Sequence, residues 1–255
     1  MKPFLLEAWL AQVERSCEIL GTRCLDLIID QSGSETSLLT SVRSVEPPLP
    51  WYSLFTGLPE EGAIHLAPLL VRVDLTLPLQ RHWLGGLVGE LGGNAQLLFL
   101  ASRWDFGVLA EHLGQAVEAR CGKSTGILRF YDPRVFPVLF SHVLEPEQQQ
   151  RWLRPALFWS WLDRDGVGQF LPGTFDEHSG ADDYPLLAFS ERQIGVMSCI
   201  AEAKGVMADP DTVLPADWGA EQRFQACFEA LQEASRAGLV EARERSACCS
   251  RLGTA

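Results

Sequence analysis

Asp132 and Arg134 are the polar residues whose types and spacing are best suited to chemistry. They flank Pro133 and follow an aromatic pair. With a distant histidine such as His112 or His142, the Asp132 carboxylate could act as a general base, as in a hydrolase. In the alternative, Asp132 caps a helix that Pro133 opens, and Arg134 pairs with it or with another buried carboxylate. The turn chemistry favours this structural role over catalysis.

Three other patterns match catalytic or metal-binding motifs only in part. The segment 122–124 reads Gly-Lys-Ser, like the end of a phosphate-binding loop, but position 117 is Val where that loop needs glycine. We therefore expect a turn between strands there. The five histidines are too scattered to form a local metal site. Three carboxylate pairs lie in a loop-like stretch, where such side chains are usually solvated: Asp163/Asp165, Asp176/Glu177 and Asp182/Asp183. We assign no catalytic, metal-binding or cofactor-binding residue.

Composition excludes several classes of protein. The chain has 255 residues, of which 47% are hydrophobic, so it can bury the core of one large domain or two small ones. A net charge of -12 without a basic stripe argues against nucleic acid as a partner. No apolar run is long enough to span a bilayer, and Glu7 interrupts the first apolar stretch too early for a signal peptide. We expect a cytoplasmic protein without membrane association.

The seven cysteines are spaced irregularly, and none forms a C-x-x-C pair. This pattern gives no support to a zinc site or a redox motif. We therefore expect reduced thiols, most of them buried.

Apolar residues at helical spacing predict the helices. The first helix is expected over residues 4–20, with Gly21 as its end. The same argument predicts helices over residues 35–45, 80–91, 105–121 and 145–162. Near the C-terminus, Ser190 and Gln193 have the spacing of a capping box, and Gly238 breaks the helical pattern of residues 216–249.

Apolar and β-branched runs predict strands at residues 24–30, 65–73, 95–101 and 127–131. The first is so apolar that we expect it in the centre of a sheet. Because strands alternate with helices, residues 1–165 predict an α/β (α+β) domain with a mixed or largely parallel sheet and flanking helices. Residues 166–187 are rich in Gly, Asp and Pro and predict a loop or linker. Residues 188–255 predict a small all-helical lobe.

Aromatic side chains are the expected contacts to a partner. Trp152, Trp159 and Trp161 lie in the helix predicted over residues 145–162 and cannot all face one side of it. One of them is therefore exposed unless both faces of the helix are buried. Exposed aromatic residues mark protein-binding surfaces. The candidate partner-binding residues are these three and two of the helical lobe: Phe224 and Phe228.

The stretch Tyr131-Asp132-Pro133-Arg134 is similar to the signature of domain-of-unknown-function family 4123, where it follows a core strand and opens a helix. The resemblance covers most of the chain in order. Residues 65–73 resemble a strand of the family, and residues 83–113 resemble its helix–strand–helix portion. Departures are Pro137, which interrupts the helix after the signature, and a long loop at 163–185. Further similar positions are Trp51, Leu54, Phe55, Gly57, Pro59, Glu60 and the segment 190–197.

This resemblance implies a non-enzymatic role with no catalytic residues. Proteins of the family are adaptors or chaperones of bacterial type VI secretion. They bind a toxic effector protein in the producing cell and help mount it on the valine-glycine repeat spike protein without using ATP. The implied partners are thus an effector and the spike protein, in a hetero-complex and not a homo-oligomer.

We expect the effector to place an apolar or basic segment in a groove between the α/β domain and the helical lobe. Aromatic anchors and a negative rim would recognise it. A structural subunit of a larger assembly is a further alternative, which predicts a stable homo-oligomer.

Overall fold

A computed structural model of the chain describes residues 3–34, 37–177, 185–210 and 212–250. The strands in these ranges are β1 (Cys24–Ile29), β2 (Trp51–Ser53), β3 (Leu69–Asp74), β4 (Leu97–Ala101), β5 (Glu118–Cys121), β6 (Ser124–Ile127), β7 (Phe158–Leu162), β8 (Gly168–Pro172) and β9 (Leu187–Phe189). The α-helices there are α1 (Pro3–Ile19), α2 (Leu39–Arg43), α3 (Pro78–Leu91), α4 (Phe106–Gln115), α5 (Phe136–Val138), α6 (Pro146–Leu153), α7 (Glu191–Ala208), α8 (Ala220–Arg236) and α9 (Ala242–Ser250). A π-helical turn, Leu139–Val143, follows α5.

Two sheets organise the described part of the chain. The main sheet has the strand order β2-β3-β1-β4-β7-β8, and all of its neighbours are antiparallel. In the small sheet, β5 pairs antiparallel with β6 and parallel with β9. The predicted α+β class is confirmed, and β1 is central as expected. The mixed pairing predicted for the sheet occurs in the small sheet, whereas the main sheet is antiparallel throughout, so the largely parallel alternative is wrong.

Each face of the main sheet carries an apolar core. Leu25, Leu27 and Ile29 of β1 face α1, α2 and α3, whereas Ile28 faces α4 and the segment 128–144. This alternation is the period-two pattern of a strand that is buried on both sides. The core residues therefore place the segment 128–144 directly against the sheet.

A buried ion pair joins β1 to β3. Asp26 is fully buried and stands opposite Arg72 in the register of the two strands. Its carboxylate accepts hydrogen bonds from Nε of Arg72 at 2.7 Å and from Nη2 at 2.8 Å. The Nη1 atom of Arg72 donates to the carbonyl of Trp104 at 2.9 Å. Both charges are thus compensated inside the core.

Three predicted elements are wrong in part. The helix expected over 145–162 ends at Leu153, and the chain continues as β7, because a short apolar run has no period that separates a strand from a helix. The helix expected over 105–121 likewise gives way to β5. The strand expected over 127–131 ends at Ile127, where the chain enters turns that lead to Asp132 and Pro133.

The stretch predicted as a loop or linker at 166–187 contains β8, which pairs with β7 as a hairpin. Gly122 has φ 63 and, with Lys123, joins β5 to β6, so the predicted turn between strands is confirmed. Asp182 and Asp183 lie outside the described residues. The division into domains at residues 165 and 188 stays a prediction.

Helices α7, α8 and α9 pack around a third core. Ser190 and Gln193 form the predicted capping box at the start of α7, and Gly238, with φ 75, follows the end of α8. Val138 of α5 also belongs to this core. The segment 128–144 therefore contributes to the cores of both the sheet and the helices. Over the described ranges, none of the helices has the length and apolar character required to cross a membrane.

Candidate functional site

Tyr131, Asp132, Pro133 and Arg134 form a tight turn that leads into α5, which we call the signature turn. Oδ1 of Asp132 accepts the backbone N–H of Arg134 at 2.9 Å, and the carbonyl of Asp132 accepts the N–H of Phe136 at 2.9 Å. The guanidinium of Arg134 binds the same carboxylate through Nε at 2.9 Å and Nη2 at 2.7 Å. This hydrogen bond raises the pKa of Arg134. Asp132 thus caps the turn, and Arg134 compensates its charge.

The aromatic ring of the signature turn points inward. Tyr131 is buried, and this burial raises the pKa of its hydroxyl. The Arg129 guanidinium lies 5.8 Å from the centre of the Tyr131 ring and donates to Asp30 at 2.6 Å and to Ser32 at 3.0 Å. These contacts hold the turn against the end of β1.

The helix after the turn is short and irregular, as Pro137 predicts. Three residues of α5 are followed by the π-helical turn. The Phe136 ring packs on Trp159 and Trp161 at centroid distances of 5.0 and 5.4 Å. Two positions later, Val138 enters the core of the helices. The signature turn is therefore fixed between the sheet and α7 and α8.

A cavity of about 710 Å³ lies between the signature turn, α7 and α8, and we call it the signature groove. Its walls hold nine apolar side chains, four cations and one carboxylate. The lining residues are Ile127, Leu128, Arg129, Asp132, Arg134, Val135, Arg164, Met197, Ile200, Ala201, Lys204, Met207, Ala220 and Phe224. The groove thus combines an apolar surface with four cations, Arg129, Arg134, Arg164 and Lys204, which we call its cationic rim. It lies where a groove was predicted, but its lining does not have the excess of negative charge expected there.

Arg164 lines the groove and holds its walls together. Its guanidinium stacks 3.4 Å from the centre of the Phe224 ring and donates to Glu221 at 2.9 Å. It also donates to the carbonyl of Arg134 at 2.9 Å. Sequence reasoning missed Arg164, because it lies in the stretch predicted as a loop and follows no apolar period. Its position between two aspartates of a turn is the signal that could have drawn attention to it.

The carboxylates beside Arg164 accept backbone hydrogen bonds although they are not buried: Asp163 is half-buried and Asp165 is exposed. Oδ1 of Asp163 accepts the N–H of Val167 at 2.9 Å inside the β7–β8 hairpin. The Asp165 carboxylate accepts the N–H of Ala220 at 2.6 Å and of Glu221 at 3.1 Å, which caps α8. These hydrogen bonds give both aspartates structural roles. No group of three or more His, Cys, Asp and Glu within the described ranges could hold a metal ion.

The residues of the hydrolase-like alternative bind separate partners. Asp132 is bound by Arg134, and Nε2 of His112 lies within hydrogen-bond distance of the carbonyl of Arg151. His142 hydrogen-bonds to Ser141 at 2.6 Å. The geometry therefore does not assemble these three side chains into one hydrogen-bonded cluster.

The aromatic candidates for partner binding lie inside the molecule. Trp152, Trp159 and Trp161 are all buried in the same core, because Trp159 and Trp161 are two residues apart on β7 and face one side of the sheet. Of the two alternatives that the sequence leaves open, burial of all three holds, although Trp159 and Trp161 lie on a strand and not on a helix. Phe228 is buried in the helical core. Phe224 is also buried, but its ring forms part of the groove wall.

A known protein family matches the part of this chain that contains the signature turn. Residues 27–151 match the sequence profile described as Domain of unknown function (DUF4123). Neither the curated proteins nor the solved structures gave a match. The match begins within β1 and ends within α6, so it takes in part of each core of the main sheet and the groove residues from Ile127 to Val135. Residues 27–151 of this chain therefore belong to the DUF4123 family.

Proposed function

We propose that this protein is a cytoplasmic adaptor that binds a type VI secretion effector, keeps it soluble and helps to load it onto the valine-glycine repeat spike protein. The function comes from the family resemblance, and the match over residues 27–151 supports it. The observation that carries the proposal is the signature groove. It provides a concave apolar surface beside the Tyr-Asp-Pro-Arg turn that carries the resemblance.

The lining of the groove suits a protein segment. Met197 and Met207 both line it, and they are the methionines of this chain other than Met1. Methionine side chains are unbranched and polarizable, so they adapt to partners of different shape. An apolar surface of this kind is a feature of protein interaction sites. The adaptor role needs no catalytic residue and no bound nucleotide.

Co-expression with the proteins encoded by neighbouring genes tests this proposal. The full chain carries an affinity tag, and each neighbour is expressed with it and alone. We expect a toxin-like neighbour to co-purify in a stoichiometric complex with a Kd of about 10 µM or tighter, and to lose solubility when expressed alone. The spike protein should bind the complex of adaptor and effector.

Two outcomes would contradict the adaptor role. In one, every neighbour fails to bind while remaining soluble alone. In the other, light scattering of the purified chain shows a stable homo-oligomer that excludes the effector, as expected for a structural subunit.

A further inference from the structure

We infer that the signature groove holds an acidic amphipathic helix of the effector, and this inference rests on the proposed function. The stated occupant is a helix whose apolar face lies in the groove and whose carboxylates meet the cationic rim. This occupant differs from the apolar or basic segment expected from the sequence of a chain with a net charge of -12.

The shape of the groove follows α7. Met197, Ile200, Ala201, Lys204 and Met207 recur at helical spacing, so they form one stripe along that helix. From Met197 to Met207 the stripe extends over about 15 Å, which is the length of about three helical turns. The signature turn and the residues before it form the opposite wall. A trough of this form receives an amphipathic helix through anchors at i, i+3, i+4 and i+7.

The charge of the rim defines the partner further. The whole chain has 21 basic and 33 acidic residues, yet the groove lining has four cations and a single carboxylate. Three of these cations already bind a carboxylate of this chain: Arg129, Arg134 and Arg164. Lys204 is exposed and makes no ion pair within the described residues. It is therefore the cation that is available to a partner carboxylate, and it would repel a basic segment.

Two variants test the groove, each with a matched control. Ala201→Glu adds bulk and negative charge to the stripe at an exposed position, and Ser198→Glu makes a similar change at an exposed position of α7 outside the groove lining. Lys204→Glu reverses the rim charge, and Lys123→Glu makes the same change in the β5–β6 turn. Neither groove variant removes a buried side chain, so all four proteins should fold, which thermal unfolding verifies.

The measurement is the affinity of each variant for the co-purifying effector at low and at physiological salt. We expect Ala201→Glu to weaken binding at least about tenfold and Lys204→Glu about three- to tenfold, with a smaller salt dependence for Lys204→Glu. The two controls should bind like the wild type. A Glu→Lys or Asp→Lys change in the bound effector helix should restore the affinity of Lys204→Glu.

The outcomes separate the two proposals. If the wild type binds no neighbour, the adaptor function fails. If the effector binds all four variants equally, the function stands and the groove is not its site. If only Ala201→Glu loses affinity, the groove binds an apolar segment and the acidic partner is wrong. If the groove variants instead dissociate a dimer of this chain, the occupant is a second copy.

Discussion

The Arg164 side chain joins three segments that are distant in the sequence. Its guanidinium connects the β7–β8 hairpin to the carbonyl of Arg134 in the signature turn and to Glu221 on α8. It also stacks on Phe224. A planar guanidinium can stack and donate several hydrogen bonds at once, and the ammonium of lysine cannot reproduce this geometry.

Arg164→Lys should therefore destabilise the fold although it keeps the charge. We expect the free energy of unfolding to fall by about 1 to 3 kcal/mol, because hydrogen bonds to charged groups and the ring contact are lost. Urea denaturation followed by tryptophan fluorescence measures the change. Arg236→Lys, at an exposed position near the end of α8, is the matched control and should leave stability within about 0.5 kcal/mol. Equal stability of both variants would contradict the joining role.

The cysteines should differ strongly in reactivity. Burial, together with the charges of Asp26 and Glu14, raises the pKa of Cys17 to about 12, whereas Cys121 is exposed at the end of β5. Because the thiolate is the nucleophile and burial shields a thiol from reagents, Cys121 should react with iodoacetamide at neutral pH at least about tenfold faster than Cys17. Mass spectrometry of the labelled native chain measures both rates. Cys121→Ser should remove the fast phase, and fast labelling of Cys17 in the folded protein would refute the prediction.

At the scale of elements, α8 depends on a cap from outside its own sequence. Its N-terminal N–H groups bind the Asp165 carboxylate of the β7–β8 hairpin. Gly219 allows this approach, because a Cβ there would lie 2.6 Å from Oδ2 of Asp165. The cap therefore fastens the first turn of α8 to the main sheet.

Asp165→Ala should remove that cap and destabilise the protein by about 1 kcal/mol, within the range of measured helix caps. Chemical denaturation measures the loss, and hydrogen exchange should show faster opening of the first turn of α8. Asp217→Ala, in the turn before α8, removes the same charge without removing a cap. If Asp217→Ala costs as much stability as Asp165→Ala, the effect is one of net charge and the capping account fails.

Local patterns predicted the elements that local interactions determine. The capping box of Ser190 and the turn at Gly122 each depend on a few neighbouring residues, so their sequences identify them. The sequence predicts a helix for Trp159 and Trp161, because a short apolar run fits the period of a helix as well as that of a strand. Only the pairing of β7 with β4 and β8 determines that these residues form a strand. The location of the groove agrees with the prediction, whereas its cationic lining does not follow from the sequence, since the contact of Arg164 with Phe224 depends on tertiary packing.

At the scale of the whole molecule, stability should fall at alkaline pH. Burial raises the pKa of Tyr131 above that of an exposed tyrosine. The unfolded chain therefore releases this proton at a lower pH than the folded chain. The contribution of Tyr131 is fully present below the ordinary tyrosine pKa near 10 and is lost as pH rises above it.

The test compares the free energy of unfolding of the wild type and Tyr131→Phe between pH 8 and pH 11. Above pH 10 the free energy of unfolding of the wild type should fall relative to that of Tyr131→Phe by up to about 1.4 kcal/mol per pH unit, which is the limit for one proton. Tyr52→Phe, at a half-buried position on β2, is the matched control. A pH-independent difference for Tyr131→Phe would overturn the assignment.

The Asp26–Arg72 pair also restricts how the sheet can assemble. β1 is apolar on both faces at its other core positions, so hydrophobicity alone does not distinguish the native alignment with β3 from one slipped by a residue. A slip would place Asp26 opposite Val71 or Val73 and leave two unpaired charges in the core. The pair therefore excludes the slipped alignments energetically. Because misaligned strands offer unpaired edges to other chains, we expect this single charged contact also to lower the tendency of the folding chain to aggregate.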